Sequence, residues 1–359
     1  MDFKASIAQL IADQIETAFS VRPMEAAEIA PMIEIPPDTA MGDYAFPCFK
    51  LSKALRKAPP MISDALAGGL QAEWLSRVES VNGYLNFFID RATFAEKVIA
   101  ACFDEGQRYG SDMSGVNKTV VLDYSSINIA KRFHLGHLST TVIGNSLKRI
   151  YDFQGWKTVS INHLGDWGTQ FGKMIAAYKR WGDHDTVAAG GVDEMVKLYV
   201  RFNAEAEENP ALKDEGRMWF KRIEDGDPEA LEIFNWFKSV TLKDAERVYE
   251  LLDVKFDSYA GESFYNDKMQ PVIDKLKEDG LLKEDAGAQI VDLEPYGMPP
   301  ALILRSDGAT LYMTRDLAAA KYRQDTYHFN KSLYVVAYQQ DLHFKQLFKV
   351  LELMGYDWE

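Results

Sequence analysis

Two histidines three residues apart, with a glycine between them, are the first side chains in this 359-residue sequence whose types and spacing could do chemistry. His134 and His137 face one side of a helix start, Gly136 lies in its first turn, and Lys131 stands just upstream. Three readings compete. The pair could ligate a metal, but the available third ligands, His163 and His343, lie in no recognisable zinc spacing. It could cap the helix or fill the core with no further role. It could bind phosphate. Gly136 favours that last reading, because a glycine inside a first turn costs roughly 0.5–1 kcal/mol against alanine and lets a flat group such as an adenine approach the backbone.

The elements that must position these groups are legible on either side. The run from Thr119 to Tyr124 reads as a buried strand of a parallel sheet and passes into a polar loop, Ser125 to Phe133. Apolar residues then recur at helical spacing (Leu138, Val142, Ile143, Leu147, Ile150, Tyr151) up to Gln154-Gly155, and Lys157 to Leu164 reads as a second strand. Such a βαβ unit sets the positive end of its crossover helix at the carboxyl edge of the sheet, where ligands bind. Gly165-Asp166-Trp167-Gly168 forms a loop on the same edge.

Further along, residues 171 to about 260 read as helices rich in charge and Trp, an insertion. Strands are expected at 289–293 and 301–305, a turn at Asp307-Gly308, a short run at 310–313, and a helix from Arg315 capped by Thr314. Ser332 to Ala337 is the last strand, and Gln339 to His343 opens a helix that repeats the first crossing's plan. Upstream, Ile7, Leu10, Ile11, Ile15 and Phe19 share one face of a first helix. A helix over Lys50–Lys57 would align Lys50, Lys53, Arg56 and Lys57 as a basic stripe, either a solvated face or a phosphate track. A strand over 81–89 points Leu85, Phe87 and Ile89 one way and Tyr84, Asn86 and Phe88 the other. That second face could pack in a sheet, or stack on and read an unpaired base. A helix over 92–103 and a polar connector, 110–117, close this region, and the connector is the expected domain boundary.

Composition narrows the classes. With 47% hydrophobic residues the chain can bury a large core, in two or three units by length. Cys48 and Cys102 have no paired spacing, which excludes a disulfide framework or a cysteine zinc site and fits a reducing compartment, the cytoplasm. The amphipathic start is no signal peptide, and no apolar run is long enough for a bilayer, so no membrane partner is expected. A net charge of −14 argues against general affinity for nucleic acid; RNA would have to bind at local patches.

His134-Leu135-Gly136-His137 resembles the HIGH signature of class I aminoacyl-tRNA synthetases, a signature that cytidylyltransferase-type enzymes share. Four blocks narrow the resemblance to arginyl-tRNA synthetases: Ser125-Ser126-x-Asn128-Ile129-Ala130-Lys131-x-Phe133-His134, the Gly165–Gly172 loop, Tyr312-x-Thr314-Arg315-Asp316, and Gln340-Asp341-Leu342-His343. Gly42-Asp43-Tyr44 and Gly83-Tyr84-Leu85-Asn86-Phe87 extend it over the N-terminal region. The resemblance implies an α/β fold: a Rossmann-like parallel-sheet catalytic domain at 113–359 with a mostly helical insertion at about 175–290, preceded by a small α+β tRNA-binding domain at 1–112. It also implies a chain whose Lys-Met-Ser-Lys-type loop and helical anticodon-binding domain would follow Glu359, with little aminoacylation expected in their absence.

The implied reaction has two steps. The carboxylate of L-arginine attacks the α-phosphorus of ATP, giving an adenylate and pyrophosphate, and the arginyl group then passes to the terminal ribose of tRNA(Arg). ATP would come with Mg2+, with no metal held tightly by the protein, and the enzyme would be a monomer. Carried over position by position, the catalytic residues are His134, His137 and Lys131, the last standing in for a missing loop lysine. ATP would be met by His134, Gly136, His137, Gln339, Gln340 and His343; arginine by Asp123, Asn128, Tyr312, Asp316 and Gln340; the tRNA D-loop by Tyr84 and Asn86. Asp316 has an innocent alternative, complementing its helix dipole, whereas Asp123 on a buried strand is costly unless paired. Departures are Asp123 where glutamate is commoner, Ile127 and Arg132 in place of prolines, and Ala337 and Gln339 in place of a glycine and an acid. Two other functions share parts of the pattern: a HIGH-type small-molecule nucleotidyltransferase, and a tRNA-binding module without catalysis.

Overall fold

A computed structural model describes residues 2–306 and 310–358, and the turn expected at Asp307-Gly308 lies outside them. The chain divides into two compact units, one up to Gly110 and one from Ser111.

The first unit packs helices on a small antiparallel sheet. Its helices are α1 (Phe3–Phe19), α2 (Ala26–Ile29), α3 (Ser52–Leu55), α4 (Pro59–Ala67) and α5 (Arg91–Glu105). Its strands are β1 (Tyr44–Pro47), β2 (Leu75–Val81) and β3 (Tyr84–Ile89), in the order β1-β3-β2. Asp2 starts α1 by accepting the Ala5 N–H, and Ile7, Ile11 and Ile15 bury its apolar face against Phe46, Leu85 and Phe87. The strand expected at 81–89 is half of a hairpin, whose turn residues Asn82 and Gly83 take φ of 52° and 86°. At Gly83 a Cβ would also stand 2.8 Å from the Pro59 Cβ. The expected Lys50–Lys57 helix does not form. A 3-10 turn, Cys48–Leu51, runs into the single turn of α3, and Arg56 leaves it in the left-handed region just before Ala58-Pro59, where the proline ring disfavours helical backbone in the residue ahead of it.

The second unit holds a parallel sheet of β4 (Thr119–Asp123), β5 (Lys157–Ile161) and β9 (Lys331–Tyr334), ordered β5-β4-β9. Its helices are α6 (Leu135–Phe153), α7 (Thr169–Trp181), α8 (His184–Glu208), α9 (Ala211–Glu224), α10 (Pro228–Leu252), α11 (Met269–Glu278), α12 (Tyr312–Tyr327) and α13 (Asp341–Leu353). An antiparallel sheet of β6 (Leu282–Asp285), β7 (Ala288–Val291) and β8 (Ala301–Leu304) completes it. β4 has the buried continuous run of a central parallel strand, with Val120, Val121 and Leu122 all at 0% exposure.

Three expectations shift. The long helices end at Leu252, and the chain rejoins the sheet where Ser258 bridges Ile161, inside the stretch 175–290 expected to be a mostly helical insertion. Asp257 draws it back, accepting both the N–H and the hydroxyl of Ser160 at 2.7 Å. The run at 310–313 pairs only at Thr310, and α12 begins at Tyr312, so Thr314 lies inside the helix, its buried hydroxyl donating to the Ile303 carbonyl. The last strand ends at Tyr334, short of Ala337. Among the described residues no helix is long and apolar enough to cross a membrane.

Candidate active site

β4 leaves the sheet at a point where its two neighbours belong to different crossovers: β5 follows α6, and β9 precedes α13. The crevice at such a switch point is where an open parallel sheet keeps its ligand. Asp123, the last residue of β4, sits there with 5% exposure. One carboxylate oxygen accepts the Ser126 hydroxyl at 2.9 Å and the other pairs with the Arg323 guanidinium at 2.7 Å. The cost of burying the acid is thus met from within the chain. Arg323, from α12, is 1% exposed; its Nη2 lies 3.3 Å from His163 Nδ1, while Nε and Nη1 have no partner.

Seven residues upstream of Arg323 on the same face of α12, the Asp316 carboxylate lies 2.6 Å from His343 Nε2 at the start of α13. A residue expected to meet arginine and one expected to meet ATP therefore touch, each about a quarter exposed at 25% and 29%. Tyr312 is 63% exposed, Gln339 and Gln340 are exposed in a 3-10 turn, and Asn128 is half-buried, its backbone bridged to Gly165.

At the start of α6, His134 is the N-cap. Its Nδ1 accepts the Gly136 N–H at 3.1 Å, and its ring stacks on His137 with centroids 3.8 Å apart. A Cβ on residue 136 would fall 2.9 Å from Cε1 of the exposed His134 ring, so a larger residue there would have to displace that ring. Burial first, then His134 and Lys131, push the His137 imidazole down to about 4, so it is neutral at pH 7. Its Nδ1 is buried without a partner. Lys131 is exposed and lines a cavity of about 250 Å³ with Phe133, Asp193, Thr241 and Asp244. The loop between Asp123 and His134 is strained: Ser125, Ser126 and Ala130 take φ of 71°, 48° and 58°. Each costs roughly 1–3 kcal/mol, which the surroundings must offset.

Several groups here carried no sequence signal of their own. Glu262 is half-buried near Arg315, Asp316 and Asp166, and burial lifts its carboxyl to about 7 against the pull of Arg315. Asp166, in the expected ligand loop, is fully buried and spent on Lys238 at 2.6 Å and on the backbone and hydroxyl of Ser263. Arg323 alone could have been found, from its spacing to Asp316 along α12.

In the first unit, Tyr84 is half-buried, edge-on to Phe49 at 5.3 Å, and Asn86 is 7% exposed, in register with Ala45 and Glu79. Both line a cavity of about 350 Å³ with Pro36, Pro37 and Met41. Phe88, two residues on from Asn86, lies under the guanidinium of its register partner Arg77 at 3.6 Å. Among the described residues no group of three or more His, Cys, Asp or Glu is placed to hold a metal.

Comparison with known proteins identifies the family. The family described as tRNA synthetases class I (R), catalytic domain, matches residues 98–359, and the arginyl tRNA synthetase N terminal domain matches residues 5–89. The chain is 55% identical over 358 residues to the arginine-tRNA ligase of Clostridioides difficile (strain 630), covering 99% of this chain and 62% of that protein. It is 53% identical to that of Alkaliphilus metalliredigens (strain QYMF), with the same coverage. The chain therefore spans about 62% of the length of these relatives. Among solved structures, arginyl-tRNA synthetase from Plasmodium falciparum shares the fold with a TM-score of 0.70 at 23% identity, over 99% of this chain and 62% of that one. The Thermus thermophilus arginyl-tRNA synthetase does so with a TM-score of 0.59 at 22% identity, over 89% and 53%.

Proposed function

This chain belongs to the arginyl-tRNA synthetase family, and we propose that its second unit activates L-arginine with ATP to arginyl-adenylate for transfer to tRNA(Arg). The observation that carries the reading is the meeting of both crossovers at one sheet edge: the stacked histidines at the start of α6 and the Asp316–His343 pair where α12 meets α13. On this reading the adenylate forms without a covalent enzyme intermediate, so the protein contributes position and charge. His134, His137 and Lys131 face the phosphates, with Gly136, Gln339, Gln340 and His343 completing the nucleotide contacts. A neutral His137 donates a hydrogen bond without repelling Lys131. Mg2+ arrives with the phosphates of ATP and keeps its own waters, as that ion usually does.

For the amino acid, a guanidinium calls for a carboxylate in fork geometry. Each Asp123 oxygen already holds a partner, so Asp316, steered by His343 and more exposed, is the proposed main receptor, with Asp123, Tyr312, Asn128 and Gln340 around it. Asp123 then shapes the floor of the pocket. Tyr84 and Asn86 of the first unit are the proposed tRNA contacts, stacking and reading a loop base. Every group named lies in one chain, so a monomer suffices, acting in the cytoplasm.

Calorimetry of arginine, lysine and ATP against the wild type and Asp316→Ala tests the assignment. The expected loss for arginine is about 10- to 100-fold, the scale of hydrogen bonds to a charged group, with ATP affinity unchanged. Equal affinity for lysine and arginine would overturn the guanidinium pocket.

A further inference from the structure

The strained loop between β4 and α6 is held from outside, and we propose that Tyr249 and Thr241, both on α10 of the insertion, are positioning residues for the His134–His137 turn. The proposal rests on the adenylate-forming reading above. The Tyr249 hydroxyl accepts from Asn162 Nδ2 at 2.9 Å and lies 2.8 Å from Ser125 Oγ. Ser125 Oγ is 2.8 Å from Thr141 Oγ1, which donates to the His137 carbonyl at 2.6 Å. Side-chain contacts thus run unbroken from Asn162 through Tyr249, Ser125 and Thr141 to the His137 carbonyl, with Thr141 Oγ1 shared between Ser125 Oγ and that carbonyl. Every member is buried, Tyr249 at 2% and Ser125 at 3%.

A second route goes through the ring of Tyr249. It stands edge-on to Phe133 at 6.0 Å, Phe133 lies 5.5 Å from His137, and His137 stacks on His134. Thr241 holds the far end of the loop, its hydroxyl accepting the Ala130 N–H at 3.1 Å while donating to the Phe237 carbonyl. Two of the three left-handed residues, Ser125 and Ala130, are thus each bonded to a side chain of α10, and Lys131 follows the second. A core tyrosine with no further role needs one partner for its hydroxyl. This one joins the loop after β4 to the residue after β5, the two ends that flank the crevice.

Hydrogen exchange on the 359-residue chain tests this with Tyr249→Phe, which keeps the ring, and Thr241→Val, which keeps the shape. Amides of residues 125–133 should exchange about tenfold faster or more, the scale of one lost hydrogen bond, while β4 and the middle of α10 stay as in wild type. Thr241→Ser should restore protection. With tRNA present, turnover in arginine-dependent ATP–pyrophosphate exchange should fall about 10- to 100-fold, as for lost supports behind a reactive group, with the KM for arginine moving far less. Wild-type loop exchange in a folded Tyr249→Phe chain, uniform acceleration everywhere, or a loosened loop with full turnover would each overturn the proposal. A loosened loop in a chain whose wild type shows no arginine-dependent exchange leaves the positioning role standing and places the failure with the adenylate-forming reading.

Discussion

Arg323 and Asp123 show how much a single buried pair constrains the pocket. Removing one partner by Arg323→Leu strands a carboxylate that is 5% exposed, and urea unfolding should show a loss of about 3–5 kcal/mol. The double variant Asp123→Asn, Arg323→Leu should recover much of that loss, since no charge is then left unpaired. At the helix start, Gly136→Ala raises intrinsic helix propensity by about 1 kcal/mol yet puts a methyl against the His134 ring. Stability should therefore change little while the His134–His137 stack is broken, which ring-to-ring NOEs and adenylate formation would both register.

At the scale of elements, the sequence made the parallel frame readable because β4 and α6 carry unambiguous periods: a continuous Val-Val-Leu run, then apolar residues at helical spacing. It misled where a local signal met a nearby constraint. The basic residues from Lys50 to Lys57 have good helix propensity, but the helical backbone ends at Leu55 and Arg56 turns left-handed just before Ala58-Pro59, so no continuous helix carries the stripe. The Asn82-Gly83 turn was available as a hairpin signal, and without it β2 stayed hidden, since its mixed Leu-Ser-Arg-Val-Glu-Ser-Val has no clear face. Gly83→Ala should destabilise the first unit by about 1–3 kcal/mol in denaturant melts, because the left-handed φ and the Pro59 contact both resist a Cβ. In the candidate site, the histidine pair and Asp316 were legible from local pattern. Glu262 and Tyr249 were not, because their roles arise from partners far along the chain that only the fold brings near, and Arg323 offered only its seven-residue spacing to Asp316.

For the molecule as a whole, Glu262 and His137 set opposing trends of stability with pH. The Glu262 carboxyl, raised to about 7, holds its proton when folded, so its contribution is full below about 4.5 and is lost as pH rises through 7. His137, lowered to about 4, resists protonation when folded, so stability is lost as pH falls from 6.5 toward 4. Between about 4.5 and 6.5 the two slopes cancel. Glu262→Gln should unmask the histidine, giving stability that rises across this window and exceeds wild type above pH 7 by about 3 kcal/mol at most, read from urea midpoints against pH. A different whole-molecule consequence follows from the order β5-β4-β9. β4 and β5 can pair as soon as both have been synthesised, but the far side of β4 waits for a strand some 211 residues later, where Thr119 finds Asn330. At typical synthesis rates that wait is on the order of 10–40 s, and through it Asp123 has no guanidinium and the crevice only one wall. The crevice therefore completes only once β9 has been made, and a ribosome paused between α10 and β9 would expose half a pocket with its acid uncompensated.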